Sequence, residues 1–591
     1  MKILGISAHY HDSAAALLVD GQPICAVQEE RLSRKKGDAA FPLLSIEACL
    51  DRAGLEPEDL DAVVFYEKPM LKFERILTLA LRAFPRSLGS FSKAMKRTLG
   101  ERLWVKGTIA AHLGVPGRKI LFCEHHVSHA AAAFFTAPAE EAAILTADGV
   151  GEWATLTVGR GRKSRAGASE LRLLREIRFP HSLGMLYSTF TAWLGFRVNE
   201  GEYKVMGLAS YGQPRYLEEV GRLLKRSGNG GFSLDLSYFD FHAGVNKSWS
   251  RKFEGLFGSP RPEWEPLDPR SPAGARYADV AASVQRVLED VLVDLARDLQ
   301  RETGLRDLCL GGGVALNGCA NARILRESGF ERIFIPSAPG DAGCALGAAL
   351  QADRVHFGQP HRDVPDHPFW GPEVDGSALL RLAVEDGLHA EEAADDDAAL
   401  ELVADSIAAG RIVGWMDGAG EFGPRALGHR SILAAPGPAR VRDDVNRSIK
   451  FREEFRPFAP AVPAEHADRY FELPPGAARL GRFMSGVFPV RPEWRDRLAA
   501  VTHVDGTARV QVVERAMADR FWRLLEAVGA RTGVPIVLNT SFNLAGEPIV
   551  SSAAEGYSTF RRCGIDLLVA GRTVVRKAAG ALSPAPREEA A

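Results

Sequence analysis

Short apolar runs broken by tight polar turns open the chain. Lys2–Ser7, Ser13–Val19 and Pro23–Glu29 each read as a strand, and Asp20-Gly21 supplies the turn between the last two. Arg31–Lys36 reads as a basic loop. Leu43–Ala53 has helical spacing, Leu60–Tyr66 is a strand, and Met70–Leu113 reads as two helices with a basic face through Lys93, Lys96 and Arg97. Lys119–Cys123 is a strand that runs into Glu124-His125-His126-Val127-Ser128-His129, and Ala130–Phe135 continues as a buried helix.

The pattern then restarts. Ala142–Ala147, Ala154–Val158 and Leu171–Ile177 are three strands, with helices at Ser182–Leu194 and Tyr277–Gln300. Leu308–Leu310 is a strand leading through Gly311-Gly312-Gly313 to a helix from Asn317; strand Arg332–Pro336 and helix Ala342–Asp353 close the unit. The repetition implies an α/β domain over 1–358, made of two related halves at about 1–140 and 141–358. Residues 359–372, rich in Pro, His and Asp, read as a linker. A second α/β domain is expected over 373–576, with a helix at Ala398–Ala408, a strand at Ile412–Trp415, a helix at Ala439–Ser448, a strand at Phe458–Val462, a helix at Ala516–Thr532 and a strand at Val534–Leu538. Residues 577–591 read as a disordered tail.

Composition narrows the class. A chain of 591 residues is too long for one core. A net charge of −2 and the lack of a basic stripe argue against a nucleic-acid partner. The seven cysteines are dispersed without a CxxC, which suits buried thiols in a reducing compartment. No apolar run reaches membrane-spanning length and Met1–Gly5 has no signal layout, so the expectation is a cytoplasmic protein.

The candidate chemistry begins at His125 and His129. Four residues apart on a helix, both imidazoles project from one face, which is half of a metal site. Asp148 ends a buried strand and Asp341 follows another, so a cation held by His125, His129, Asp148 and Asp341 is expected; the alternative is a structural histidine pair. Two imidazoles and two carboxylates suit six-coordinate Fe(II) or Mn(II), while tetrahedral zinc usually has more N or S ligands. His126 points away from the shared face. Gly311, Gly312, Gly313 and Asn317 form a strand-to-helix turn that lets a ligand approach the backbone, and the helix start that follows favours an anion or ring acceptor. Gly201, Glu202 and Lys204 read either as a phosphate or ribose contact or as a solvated loop. In the second domain Arg425, Arg430, Lys450, Arg452, Arg456 and Arg509, with Ser541 and Asn543, lie among Gly, Pro and apolar residues. That placement suits planar binding of phosphate or carboxylate; the alternative is a set of ion pairs with Glu453, Glu454 and Asp505.

These residues resemble the NodU/CmcH family of O-carbamoyltransferases over nearly the whole chain. The resemblance is specific in His11-Asp12-Ser13, His125–Ala130, Lys204-Val205-Met206-Gly207, Gly311–Asn317, Phe422–Ser431, Phe455–Pro460 and His503–Arg509. It implies an N-terminal domain of the duplicated actin/sugar-kinase (RNase H-like) type, similar to the tRNA threonylcarbamoyl-transfer protein, with iron on the His/Asp set. It implies a C-terminal YrdC-like domain in which carbamoyl phosphate and ATP, with Mg, give carbamoyl-adenylate, the charge being offset by Arg425, Lys450, Arg452, Arg456 and Arg509. The carbamoyl group then passes to an acceptor hydroxyl in the N-terminal cleft, where the Gly311–Asn317 turn holds the nucleoside. His11 is the candidate general base, with Asp12 in competition. The acceptor class is a small molecule or sugar, as in natural-product biosynthesis, and related proteins imply at most a homodimer. A tRNA-modifying transferase and a small-molecule kinase are the competing functions on the same fold.

Overall fold

The computed structural model describes residues 1–82, 84, 91, 95, 103–228, 230–242, 247–453 and 455–577. The Lys93, Lys96 and Arg97 face, Glu454 and, apart from Lys577, the tail lie outside them. The described chain forms two compact units, Met1–Gln28 with Ala39–Asp366, and Glu29–Asp38 with His367–Ala591.

The first unit contains two five-stranded sheets. Strands β1 (Lys2–Ser7), β2 (Ala14–Val19), β3 (Gln22–Gln28), β4 (Ala62–Phe65) and β5 (Ile120–Phe122) lie in the order β3-β2-β1-β4-β5. Strands β6 (Glu141–Ala147), β7 (Ala154–Arg162) and β8 (Glu170–Arg178) precede a small hairpin, β9 (Leu224–Arg226) and β10 (Phe232–Leu234). With β11 (Asp307–Gly311) and β12 (Arg332–Phe334), the second sheet has the order β12-β11-β6-β7-β8. Read outward from the first strand of each half, the two orders are the same. In each, an antiparallel meander of three strands is extended on its other side by two parallel strands. This is the duplicated α/β architecture of the actin/sugar-kinase class. The helix that follows the last parallel strand of each half, His125–Phe135 after β5 and Asp341–Gln351 after β12, carries the site.

The helices used below are α1 (Pro69–Arg82), α2 (His125–Phe135), α3 (Leu183–Trp193), α4 (Pro272–Thr303), α5 (Gly318–Glu327) and α6 (Asp341–Gln351). Helix α6 packs on β1 and β2, α2 packs on β6 and β11, and the two helices pack on each other. Small residues permit that approach. Ala130–Ala133 are buried in α2, and a Cβ at Gly347 of α6 would lie 2.0 Å from the Ser128 carbonyl oxygen. Nothing larger than glycine fits there, and the contact sets Asp341 against the histidine face.

The second unit is built on an eight-stranded mixed sheet. Its strands are β14 (His389–Glu392), β15 (Val413–Met416), β17 (Arg430–Ala434), β18 (Ala459–Pro463), β21 (Gln511–Val513), β22 (Val537–Ser541), β23 (Leu567–Ala570) and β24 (Thr573–Arg576), in the order β14-β24-β23-β15-β17-β22-β18-β21. Small pairs flank it: β13 (Phe369–Glu373) with β16 (Ala419–Glu421), and β19 (Phe488–Pro489) with β20 (Thr507–Ala508). Its core gathers Trp415, Leu433, Val513, Phe521, Leu524 and Val569 between the sheet and its helices.

Three local expectations differ. The expected Arg31–Lys36 loop is helical as far as Ser33, in a short helix Glu29–Ser33 whose Arg31 is buried and donates to the Gly423 carbonyl at 2.5 Å. The end of the expected linker is strand β13, whose Phe369 and Trp370 are buried. The helix expected over Ala439–Ser448 ends at Val445 and widens into a π-helical turn, Asn446–Lys450, which delivers Lys450 inward.

Candidate metal and phosphate sites

Asp148 follows the last residue of β6, and Asp341 is the first residue of α6. His125 and His129 lie on the face of α2 turned toward both. His125 Nε2 is 3.1 Å from Asp148 Oδ2, His129 Nε2 is 3.0 Å from the same oxygen, and the two Nε2 atoms are 3.1 Å apart. Asp341 Oδ1 stands 3.7 and 3.5 Å from the two rings. Hydrogen bonds do not explain this triangle. With the carboxylate ionised, any placement of protons on the two Nε2 atoms leaves at least one edge with two donors or two acceptors facing.

A cation explains all three edges. Donor atoms about 2.1 Å from a metal are about 3.0 Å apart at right angles and about 3.4 Å apart in a tetrahedron. Asp341 Oδ2 is buried without a hydrogen-bond partner, so the donor set is not saturated by the protein. The residues present therefore fit a divalent cation held by His125, His129, Asp148 and Asp341. Cys344, one helical turn after Asp341, brings a thiol within 4.8 Å of donor atoms of both histidines. Burial pushes that thiol up to about 12, so it is protonated unless a cation displaces the proton. Burial would lower the His129 ring, but Cys344, Asp148 and Asp341 carry it well above its ordinary value. Burial would raise Asp148, yet the two histidines hold it well below. His126 turns away, with Nδ1 2.7 Å from the Thr146 hydroxyl, and burial depresses it.

Glu152 fixes the helix that carries the histidines. Its carboxylate accepts from the His125 amide at 3.1 and 3.2 Å and from the Lys68 amide at 2.7 Å. It replaces the cap that Glu124 does not provide.

The other N-terminal candidates surround this centre. In the loop before β2, His9 and Asp12 have φ of 75° and 55°, a left-handed geometry that non-glycine residues keep where the fold demands it. His11 Nδ1 and Asp12 Oδ2 are 3.0 Å apart. Burial would lower His11, but the Asp12 hydrogen bond and the fields of Asp341, Asp12 and Asp148 raise it to about 9. Burial, then Asp341 and Asp148, push the Tyr10 phenol up. Gly312 has φ 91°, and its Cβ position lies 2.2 Å from the Ala147 carbonyl oxygen, while that of Gly313 is 3.0 Å from Asp148 Oδ1. The backbone of the glycine turn thus lies against the Asp148 strand end, with Gly311 against the His129 backbone.

Two cofactor-binding expectations change here. The Asn317 side chain caps α5 through the Ala320 amide at 3.0 Å and is doubly hydrogen-bonded to Gln285 of α4, both at 2.9 Å, so it shapes the turn more than it faces it. Glu202 accepts from the Ser188 hydroxyl of α3 at 2.8 Å and from the Asn199 and Gly201 amides at 3.1 and 3.2 Å, and Lys204 lies over the Phe196 ring. The Gly201–Lys204 segment is a packed loop and helix start.

In the second unit Lys450, Ser541 and Asn543 come together. Lys450 Nζ donates to the Ser541 and Asn543 carbonyls at 2.5 and 3.1 Å and to Asn543 Oδ1 at 2.9 Å; the Ser541 hydroxyl is 2.6 Å from Asn543 Oδ1. Burial, then Arg452 and Arg456, push Lys450 well below its ordinary value. Arg425, held by the Phe483 carbonyl at 2.9 Å and Ser485 at 3.0 Å, is depressed by burial and then by Arg509. Arg452 is oriented by Asn446 at 2.8 Å and lies over the Phe458 ring, and Arg456 is 3.6 Å from Glu453. These buried or half-buried cations repel one another, which is an environment an anion relieves.

Arg430 does not belong with them. Its Nε donates to the Ser551 carbonyl at 3.1 Å, one terminal nitrogen to Asp417 and His429 at 2.6 and 3.0 Å, and the other to Pro372 and Gly418 at 2.9 and 3.0 Å. Its donors are spent on backbone carbonyls, so it is a structural hub and not a phosphate ligand.

Sequence reasoning passed over Tyr10, Glu152 and Cys344. A signal existed for Cys344, because Asp341 and Cys344 are i and i+3 on one helix. None existed for Glu152, whose role depends on a loop returning to a distant helix end.

The described residues contain no helix long and apolar enough to cross a membrane. Residues 2–350 match the family profile described as carbamoyltransferase N-terminus, and residues 404–577 match carbamoyltransferase C-terminus. An uncharacterised Synechocystis protein is 43% identical over 98% of this chain and 97% of its own. Nodulation protein NolNO of Sinorhizobium fredii is 38% identical, covering 96% of this chain and 79% of its own. Nodulation protein NolO of Bradyrhizobium diazoefficiens is 38% identical over 77% and 78% of the two chains. HypF of T. kodakarensis aligns in structure at TM-score 0.30 and 15% identity, over 59% of this chain and 47% of its own. With both domain profiles matched in order, and relatives this similar along most of its length, the chain belongs to the carbamoyltransferase family and is a transferase.

Proposed function

We propose that the enzyme is an ATP-dependent O-carbamoyltransferase working through carbamoyl-adenylate. The observation that carries the reading is the presence in one chain of two different polar constellations, a His/Asp cluster in the first unit and a cationic Lys/Arg/Ser/Asn set in the second. A kinase needs only the first.

In the second unit, carbamoyl phosphate gives up its phosphate to water and leaves carbamate. A carbamate oxygen attacks the α-phosphorus of ATP, Mg-bound pyrophosphate leaves, and carbamoyl-adenylate forms. Lys450, Arg425, Arg452, Arg456 and Arg509 hold the phosphates and offset their charge; Ser541 and Asn543 orient Lys450. In the first unit an acceptor alcohol takes the carbamoyl group. The C–O bond to AMP breaks as the new C–O bond forms, and AMP leaves. His11 Nε2 receives the alcohol proton while Asp12 holds Nδ1–H in place. The backbone of Gly311–Gly313 accommodates the adenylate. His125, His129, Asp148 and Asp341 would hold the cation, which as a Lewis acid polarises an oxygen of the bound adenylate. Its charge would also offset the carboxylates that raise His11, returning that ring toward the range where it accepts protons at neutral pH. A donor set of two imidazoles and two carboxylates suits Fe(II), with Mn(II) or Zn(II) as the alternatives.

The test is AMP formation by the full chain with ATP, carbamoyl phosphate and a panel of sugar and polyol acceptors. Pyrophosphate should be released from ATP and carbamoyl phosphate together, and AMP should appear only when the acceptor is present as well. Formation of ADP alone would refute the adenylate route. Metal analysis of protein purified without added metal identifies the ion, and stoichiometric zinc without iron would remove the Fe(II) assignment.

A further inference from the structure

Arg75 lies in the middle of α1 and is 8% exposed. Among the described residues it makes no hydrogen bond and no ion pair, and its Nε is sealed from solvent without a partner. The guanidinium sits over the Phe179 ring, 5.2 Å from its centre. Two carboxylates are close enough to act on it electrostatically, Glu67 and Glu152. Both are committed elsewhere. Glu67 binds Lys72 through both oxygens at 2.9 and 2.6 Å, and Glu152 caps α2. A cation taken out of water and left unpaired is a net cost to the folded chain. Stacking on one phenyl ring returns only part of it.

Two chains of contacts lead from the surroundings of Arg75 toward the His/Asp centre. Phe179 precedes Ser182, whose hydroxyl donates to the carbonyls of Asp148 at 3.1 Å and Gly149 at 2.7 Å. On the same helix as Arg75, Lys72 lies 5.9 Å from the centre of the Tyr10 ring, and Tyr10 is in the field of Asp341 and Asp148. Tyr10 also acts electrostatically on Arg75 itself.

We propose that Arg75 is an oxyanion-binding residue beside the His/Asp centre, taking a phosphate ester or carboxylate through the planar fork of its guanidinium. Two sources carry that chemistry, the α-phosphate of the adenylate and an anionic substituent on the acceptor alcohol. That the oxyanion is a substrate group rests on the carbamoyl-transfer reading; that an anion binds here does not.

The experiment uses the full chain and the variants Arg75→Met and Arg75→Lys. Melting temperature is followed with inorganic phosphate, AMP, methyl glucoside and methyl glucuronoside, and affinities are measured by calorimetry. A residue waiting for a ligand costs stability when it is alone. Unliganded R75M is therefore expected to melt at or above the wild type, whereas loss of a structural arginine would lower it by several degrees. Affinity for AMP, or the preference for glucuronoside over glucoside, should fall about tenfold or more in R75M, with R75K between the two. Loss of AMP binding assigns the α-phosphate; loss of the glucuronoside preference with AMP intact assigns the acceptor. The proposal is overturned if R75M melts well below the wild type, fails to fold, or binds every probe as the wild type does. None of these readouts needs turnover. A chain that makes no AMP but loses phosphate binding in R75M keeps the anion site and loses the transfer reading. An active transferase whose R75M variant binds all probes normally removes only this inference.

Discussion

Replacing Glu152 by alanine tests whether the metal centre depends on how its helix is held. The substitution removes an acceptor from two amides, Lys68 at 2.7 Å and His125 at 3.1 Å. His125 is 2% exposed, so water does not take over easily. A hydrogen bond to a charged acceptor is worth about 1.5–3 kcal/mol, and an orphaned buried donor costs a similar amount. The carboxylate also loses its interaction with the N-terminal dipole of α2, about 0.5–1 kcal/mol. Against this, burial lifts the Glu152 carboxyl above its ordinary range, so part of the gain is spent on ionising it. The net local cost is about 3 kcal/mol. Hydrogen exchange at the first amides of α2 in metal-free protein should then accelerate by about a hundredfold. Metal affinity measured by chelator competition should fall about 10–100-fold. Glu152→Gln keeps an acceptor without the charge and should recover most of both. If E152A leaves exchange at α2 and metal affinity as they are in the wild type, the capping argument is wrong.

Other outcomes follow from the same geometry. Lys450→Met should abolish pyrophosphate release from ATP and carbamoyl phosphate while metal content is unchanged; release at wild-type rate would remove Lys450 from activation. Arg430→Met removes a donor from five carbonyls, of which those of His429 and Gly418 keep a backbone amide, and the second unit should lose about 3 kcal/mol; an inactive but fully stable variant would restore a phosphate-binding role. Burial would raise the Glu421 carboxyl, but His429, Arg430 and the amides of Leu427 and His429 hold it below its ordinary value. Its contribution to stability is therefore present above the ordinary carboxylate pKa of about 4.3 and is lost as pH falls through the depressed folded value. Acid melting of the second unit should show that loss, and Glu421→Gln should flatten it. Removal of the cation by chelation should lower the melting temperature and stop carbamoyl transfer without stopping adenylate formation, whereas loss of both activities would tie the metal to activation.

What the sequence made legible follows the range of the forces involved. Short apolar runs bounded by polar turns mark the strands of the two five-stranded sheets to within a few residues, because strands buried on both faces read as continuous apolar stretches. The i, i+4 histidine pair was equally local. Of the two aspartates that lie beside it, Asp148 is visible in the chain as a strand end that opens into a glycine turn, and Asp341 as the acid inside Pro339-Gly340-Asp341-Ala342-Gly343 after a strand. What stayed hidden depends on where a side chain's hydrogen bonds go after folding. Arg430 and Lys450 both sit among apolar and small residues, and both were expected to meet phosphate. The structure spends Arg430 on carbonyls from five separate backbone positions. It leaves Lys450 held by Ser541 and Asn543 beside Arg452 and Arg456. The hydrogen bonds of Asn317 are hidden in the same way, since its partner Gln285 is 32 positions away on α4. Only tertiary contacts decide whether a buried cation or amide is already satisfied, and that accounting separates a residue that builds a site from one that waits in it.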